Sequence, residues 1–175
     1  MKWFHRRDKQ SHLCQICGTA HSGLTTDFAF MLPDDVLEQD VENRQAHLDW
    51  STDLCGYQDR WFLRCVLEVP LNFREGSFGW GVWVEVSEPS FARYYRVYET
   101  DGSNCPRESG TIASSLPYYG ETKGLEVEVQ FGESDRRPLV FLKPNTECDI
   151  ARDQRSGISD EQHHAIVKSL HPRKP

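Results

Sequence analysis

At 175 residues the chain can bury roughly two thirds of its unfolded surface, so neither disulfides nor a metal ion are needed for bulk stability. Its formal charge is −7, and its bases are scattered outside "HRRDK" at the start and "HPRKP" at the end, which argues against nucleic acid as the main partner. No apolar run reaches membrane-spanning length and the polar opening "MKWFHRRDKQ" lacks a secretion signal's apolar segment, so a soluble, cytoplasmic protein without a membrane partner is expected.

One domain over 1–175 is expected, with 1–12 and 170–175 as flexible ends. In chain order, the first distinctive stretch is "LCQICGTAHSG". "LPDDVLEQDVENRQAHL" opens on Pro33 and two acids and spaces Val36, Leu37, Val41 and Leu48 as one helix would. "STDLCGYQD" has the composition of a turn. "RWFLRCVLEVP" alternates Trp61, Leu63, Cys65, Leu67 and Val69 against Phe62, Arg64, Val66 and Glu68, the pattern of a half-buried strand. "FGWGVWVEVSE" alternates more clearly, and its Gly79 and Gly81 would let a backbone or ring approach closely.

"EPSFARYYRVYE" reads as a short helix and "ETDGSNCPRESG" as a loop. "GTIASSL", "GLEVEVQF" and "PLVFLKP" read as further strands, with Val127 and Val129 inward and Glu126 and Glu128 outward. Ser159 and Gln162 form a capping box before a last helix through "HHAIVKSL". Strands in a run with short turns, and helices between and after them, predict an α+β domain with a mainly antiparallel sheet, flanking helices and an N-terminal zinc-knuckle-like turn.

Cys14 and Cys17 are the closely spaced pair among six cysteines, and Gly18 follows directly. Zinc favours such a turn because its two thiolates converge on one ion, and glycine lets the backbone fold beneath them. His21 supplies a third ligand. Cys55, next to Gly56 in a turn-rich stretch, is the best candidate for the fourth, since Cys65 sits within a strand pattern. Two other readings stay open: ordinary buried thiols, and a redox pair, although no helix pattern follows Cys17 as thioredoxin-like chemistry requires.

The ordered series "CQICGTAH", "DLCGYQDRWFLRCVLEVPL", "FGWGVWVEVSEPSF", "LPYYGET", "RRPLVFL" and "DIARDQRSGIS" resembles the bacterial family DUF2199, over most of Cys14 to Ser159. That family carries no assigned activity, so the resemblance implies no catalytic residues. It does imply a cysteine within "DLCGYQD", favouring Cys55 as fourth ligand over Cys105 or Cys148.

Other groups attract structural readings first. His163 and His164 adjoin each other on a helix, face different directions, and read as solvated surface. Tyr118 and Tyr119 read as packing at a strand end. Trp83 shares a mixed face with Gly79, Gly81, Glu85 and Ser87, which suits either a ligand groove or a covering helix. Arg64 would need a carboxylate if buried, and Asp149, Arg152 and Asp153 could pair with it or with one another.

The preferred reading is a small zinc-binding interaction or ligand-binding protein with a structural zinc on Cys14, Cys17, His21 and Cys55, and with an unidentified protein or small molecule as partner. The alternative is an enzyme of unassigned class using the sheet face around Trp83 with Arg64 and the Asp149/Asp153 segment. A pocket gathering several polar groups with shifted ionisation would favour the enzyme.

Overall fold

The computed structural model describes residues 25–170 and, as backbone, 11–13 and 20–22. Most of the expected flexible ends, and Cys14 and Cys17, lie outside the described residues. Strands β1 (Ser11–Leu13) and β2 (Ala20–Ser22) pair antiparallel, with His12 opposite His21 and Leu13 opposite Ala20. β3 (Asp27–Ala29) leads into α1 (Asp34–Leu37) and α2 (Val41–His47), two helices where the apolar spacing predicts one. The break is local: Asp40 is extended, and its Oδ1 accepts the Asn43 N–H at 2.7 Å, so a cap begins a new helix there.

β4 (Leu48–Trp50) and β5 (Leu54–Tyr57) form a hairpin, so the turn composition of "STDLCGYQD" is confined to its ends and its middle is a strand. The long strands β6 (Arg60–Pro70) and β7 (Ser77–Val86) pair from Trp61 opposite Val86 to Pro70 opposite Ser77. Then come α3 (Glu88–Val97), β8 (Glu108–Ile112), β9 (Glu126–Gln130), β10 (Leu139–Leu142), α4 (Asp149–Ser156) and α5 (Asp160–Leu170). Ser87 caps α3, accepting the Ser90 N–H at 3.3 Å. The capping box before α5 is reciprocal: the Ser159 N–H donates to Gln162 Oε1 at 3.0 Å, and the Gln162 N–H to Ser159 Oγ at 3.2 Å.

The fold is α+β, with β3 to β10 in one mainly antiparallel sheet. Five of its strands, β6–β7–β8–β9–β10, close into a barrel when β10 returns parallel to β6. The closing contact is slight. Leu139 stands opposite Val66, and the Val66 N–H reaches the Pro138 carbonyl at 2.8 Å. Beyond that pair α4 fills the gap with a side chain: Gln154 donates from Nε2 to the Val140 carbonyl at 2.7 Å and accepts the Leu142 N–H at 2.9 Å. A primary amide offers a donor and an acceptor, as a strand residue does, so the edge of β10 is satisfied without a neighbour.

The barrel interior holds Leu63, Cys65, Leu67, Trp80, Val82, Val84, Val127, Val129 and Val140, all essentially buried. Tyr94 of α3, Ile150 and Ala151 of α4 and Ile166 of α5 join the same cluster. Glu126 is exposed, and Glu128, half exposed, takes Arg107 at 2.9 Å, so the inward and outward assignment of β9 holds.

β7 is buried on both faces. Its outer face, with β5 and β6, carries a second core of Leu32, Val36, Cys55, Tyr57, Phe62, Trp83 and Ala113, covered by residues 30–37. β3 reaches this place because Gly81 has no side chain: a Cβ there would stand 2.8 Å from that of Ala29. Asp34 pins the cover, donating its N–H to the Ala113 carbonyl at 2.9 Å and accepting the Ser115 N–H at 2.7 Å. Asp35 adds ion pairs to Arg60 at 2.9 Å and Lys123 at 2.8 Å, which hold its carboxyl below the usual range. Among the described residues no helix is long and apolar enough to cross a membrane.

Candidate functional site

Of the four expected metal ligands, two lie in described parts of the chain. His21 is central in β2, opposite His12. Cys55 is fully buried in the second core, paired with Trp50 on one side and Phe62 on the other. Burial pushes its thiol up to about 12, so without a cation beside it the sulfur stays protonated. Among the described residues no three His, Cys, Asp or Glu side chains gather in a way that could hold a metal.

The face around Trp83 is closed. Trp83 is fully buried, and its Nε1–H donates to the Phe30 carbonyl at 3.2 Å. Of the two readings of this face the covered one holds, although the cover is residues 30–37, with the single turn of α1, and not a full helix. Arg64 lies over the Trp83 ring, 5.5 Å from its centroid, and donates to two backbone carbonyls, Phe30 and, at 3.2 Å, Thr52. Carbonyls thus do what a carboxylate was expected to do, and burial holds this guanidinium below the ordinary arginine value. Asp149 and Asp153 bond Arg152 instead, at 2.8 and 3.1 Å.

Trp83 points outward from β7, whereas Asp153 adjoins Tyr119, whose ring meets the inward-facing Trp80 at 6.0 Å. The residues of the enzyme alternative are therefore on opposite sides of one strand. The Tyr119 hydroxyl and Oδ2 of Asp153 are buried near each other; burial, then the Asp153 charge, raises the Tyr119 hydroxyl. Tyr118, expected to pack, is 46% exposed and has φ of +82°, an unusual conformation for a tyrosine.

A polar cluster that spacing does not reveal lies at the barrel seam. Arg137 donates from Nε to Asp53 Oδ1 at 2.6 Å, and the Tyr98 hydroxyl donates to Oδ2 at 2.9 Å. Both ion-pair partners are largely buried, at 18% and 17% side-chain exposure. Burial, and then this bond to Asp53, pushes the Tyr98 hydroxyl up to about 12. Arg137 also lines a groove of about 580 Å³ with Val66, Phe131, Leu139, Ser103 and Gln130. A second groove of about 430 Å³ continues past Leu139 toward Arg107 and Arg155. Asp53 and Arg137 are 84 positions apart, so only the closed barrel brings them together. The signal in the sequence was the Arg pair opening "RRPLVFL".

His163, expected on a solvated surface, is 3% exposed between Phe73 and Phe78, with Nε2 bonded to the Thr25 carbonyl at 2.7 Å. Burial lowers its pKa from the ordinary 6.5. A depressed imidazole costs nothing while both states are neutral. As pH falls below the unfolded value, the unfolded chain takes a proton that the folded chain resists, and stability drops. Thermal midpoints should therefore decline on going below about pH 6.5, more steeply for the natural chain than for His163→Phe. Equal slopes would show that His163 is not held neutral.

The described residues thus form a five-stranded barrel with packed helices, an outer second core and two surface grooves. The chain belongs to DUF2199, a family of uncharacterised proteins conserved in bacteria, whose model matches residues 13–158. No curated protein and no solved structure matches it.

Proposed function

We propose that the protein is a small cytoplasmic binding protein whose N-terminal hairpin carries a structural zinc on Cys14, Cys17, His21 and Cys55. The observation behind the zinc is the pairing of Leu13 with Ala20: the Cys-x-x-Cys-Gly stretch connects two antiparallel strands, and His21 follows in the second. Two thiolates and an imidazole are a donor set that zinc favours, and a bound cation would supply the charge that a Cys55 thiolate lacks in its apolar surroundings. Binding is favoured over catalysis because Cys55, Cys65, Tyr94 and Tyr119, all shifted toward neutrality by burial, line neither groove. The partner is a protein or a small molecule.

Protein purified without added metal should carry about one equivalent of zinc, with sulfurs about 2.3 Å from it by X-ray absorption. Cys14→Ser should abolish binding yet leave the barrel folded, since a chain of this length keeps a core of its own. Cys55→Ser should weaken binding strongly; full affinity in that variant would make Cys55 a core thiol and place the fourth ligand elsewhere. Metal-free native protein would overturn the zinc site, and a Cys14–Cys17 disulfide would put redox chemistry in its place.

A further inference from the structure

We propose that the groove beside Arg137 binds a small organic oxyanion, a carboxylate or phosphate on a compact apolar body, with the Arg137 guanidinium as its anchor. Asp53 takes the Nε–H of Arg137, and the Tyr98 hydroxyl occupies the other Asp53 oxygen, so the guanidinium is held in one orientation. Its terminal nitrogens make no hydrogen bond among the described residues, although the side chain is only 18% exposed and lines the groove. A guanidinium fixed through Nε presents two parallel N–H groups, the geometry that meets an oxyanion in bidentate fashion.

A second cation stands near the anchor. Arg64, close enough for its charge to be felt by Arg137, donates to carbonyls, and its Nε is buried without a partner. Of the two guanidiniums, Asp53 thus bonds Arg137 alone, and the positive charge of Arg64 is met by carbonyl dipoles. The groove floor is apolar, made by Val66, Phe131 and Leu139, which suits a ligand with a hydrocarbon or ring body. Glu68, Glu133 and Asp135 also line the groove, and of these Glu133 faces Arg136 at 3.9 Å. With Glu133 facing Arg136, the remaining acids Glu68 and Asp135 disfavour a polyanion more than a ligand whose single anionic head meets the Arg137 fork.

This inference names the ligand class of the binding reading above, and it fails separately from the zinc site because its readout is at Arg137. The test is a titration of isotopically labelled full-length protein with benzoate, phenyl phosphate and phenethylamine at fixed ionic strength. The Arg137 Nε–H and the amides of Ser103 and Gln130 are followed by NMR. Both anions should move these signals and phenethylamine should not; the tighter anion identifies a carboxylate or a phosphate head. Arg137→Lys keeps the charge beside Asp53 but loses the planar fork, and should weaken the anions by roughly tenfold or more. Unchanged affinity in that variant, equal binding of phenethylamine, or shifts scattered over the surface would each overturn the proposal. Should the variant fail to fold, the position of the shifts in the natural chain still decides.

Discussion

Trp83→Ala should destabilise the fold by about 3 to 5 kcal/mol, the cost expected when a fully buried indole is cut back and its surroundings relax only in part. Trp83 is at the centre of the second core, where it carries the stacked Arg64 guanidinium and bonds the Phe30 carbonyl. Truncation removes that floor and leaves a cavity under residues 30–37. Trp83→Phe keeps most of the ring and loses the Nε1–H, so it should cost distinctly less. Denaturant midpoints of the two variants, with unchanged slopes, measure the difference. A loss below about 1 kcal/mol for Trp83→Ala would show that the cover contributes little to stability.

Asp53→Ala should cost about 2 to 4 kcal/mol, slightly under the range for a completely buried pair because both partners retain some solvent contact. The substitution strips Arg137 of its carboxylate and the Tyr98 hydroxyl of its acceptor, and leaves two neighbouring guanidiniums to repel each other. Most of the loss is the penalty of an unpaired charge, so Asp53→Ala combined with Arg137→Met should recover a substantial part of it. Urea unfolding of the single and double variants closes the cycle. Strict additivity would mean that the pair is not coupled.

The strands were legible wherever one face meets the core and the other meets water. The alternation of Val127 and Val129 with Glu126 and Glu128 assigned β9 correctly because its outer face is solvated. The same alternation leaves β7 undecided, because the mixed face of Trp83 and Gly81 suits a groove or a cover equally, and the cover comes from the sequence-distant segment 30–37. Alternation reports chemistry on each face, and a small or amphipathic residue does not declare what will lie on it. α4 went unread for a related reason: "DIARDQRS" is nearly all polar, and its Gln154 and Asp153 turn toward protein. His163 was hidden because two adjacent histidines look alike in sequence, while one faces Phe78 and the other does not share its burial. The Cys14–Cys17 spacing suggested a chemistry that the chain's patterning elsewhere did not, whereas the Asp53–Arg137 pair depends on closure of the barrel and leaves no local spacing to detect.

That closure also sets an order of assembly. Strands β6 to β9 can pair as neighbours while the chain is still being made, but the return of β10 to β6 joins Leu139 to Val66 with one register pair. The gap beyond it is satisfied by Gln154, which leaves the ribosome after every strand of the barrel. A nascent chain that ends before α4 therefore presents an unpaired strand edge, and such edges invite pairing with other chains. The segment from α4 onward acts in this sense as the barrel's own guard against aggregation, and truncations within α4 should be recovered as insoluble material sooner than truncations after α5.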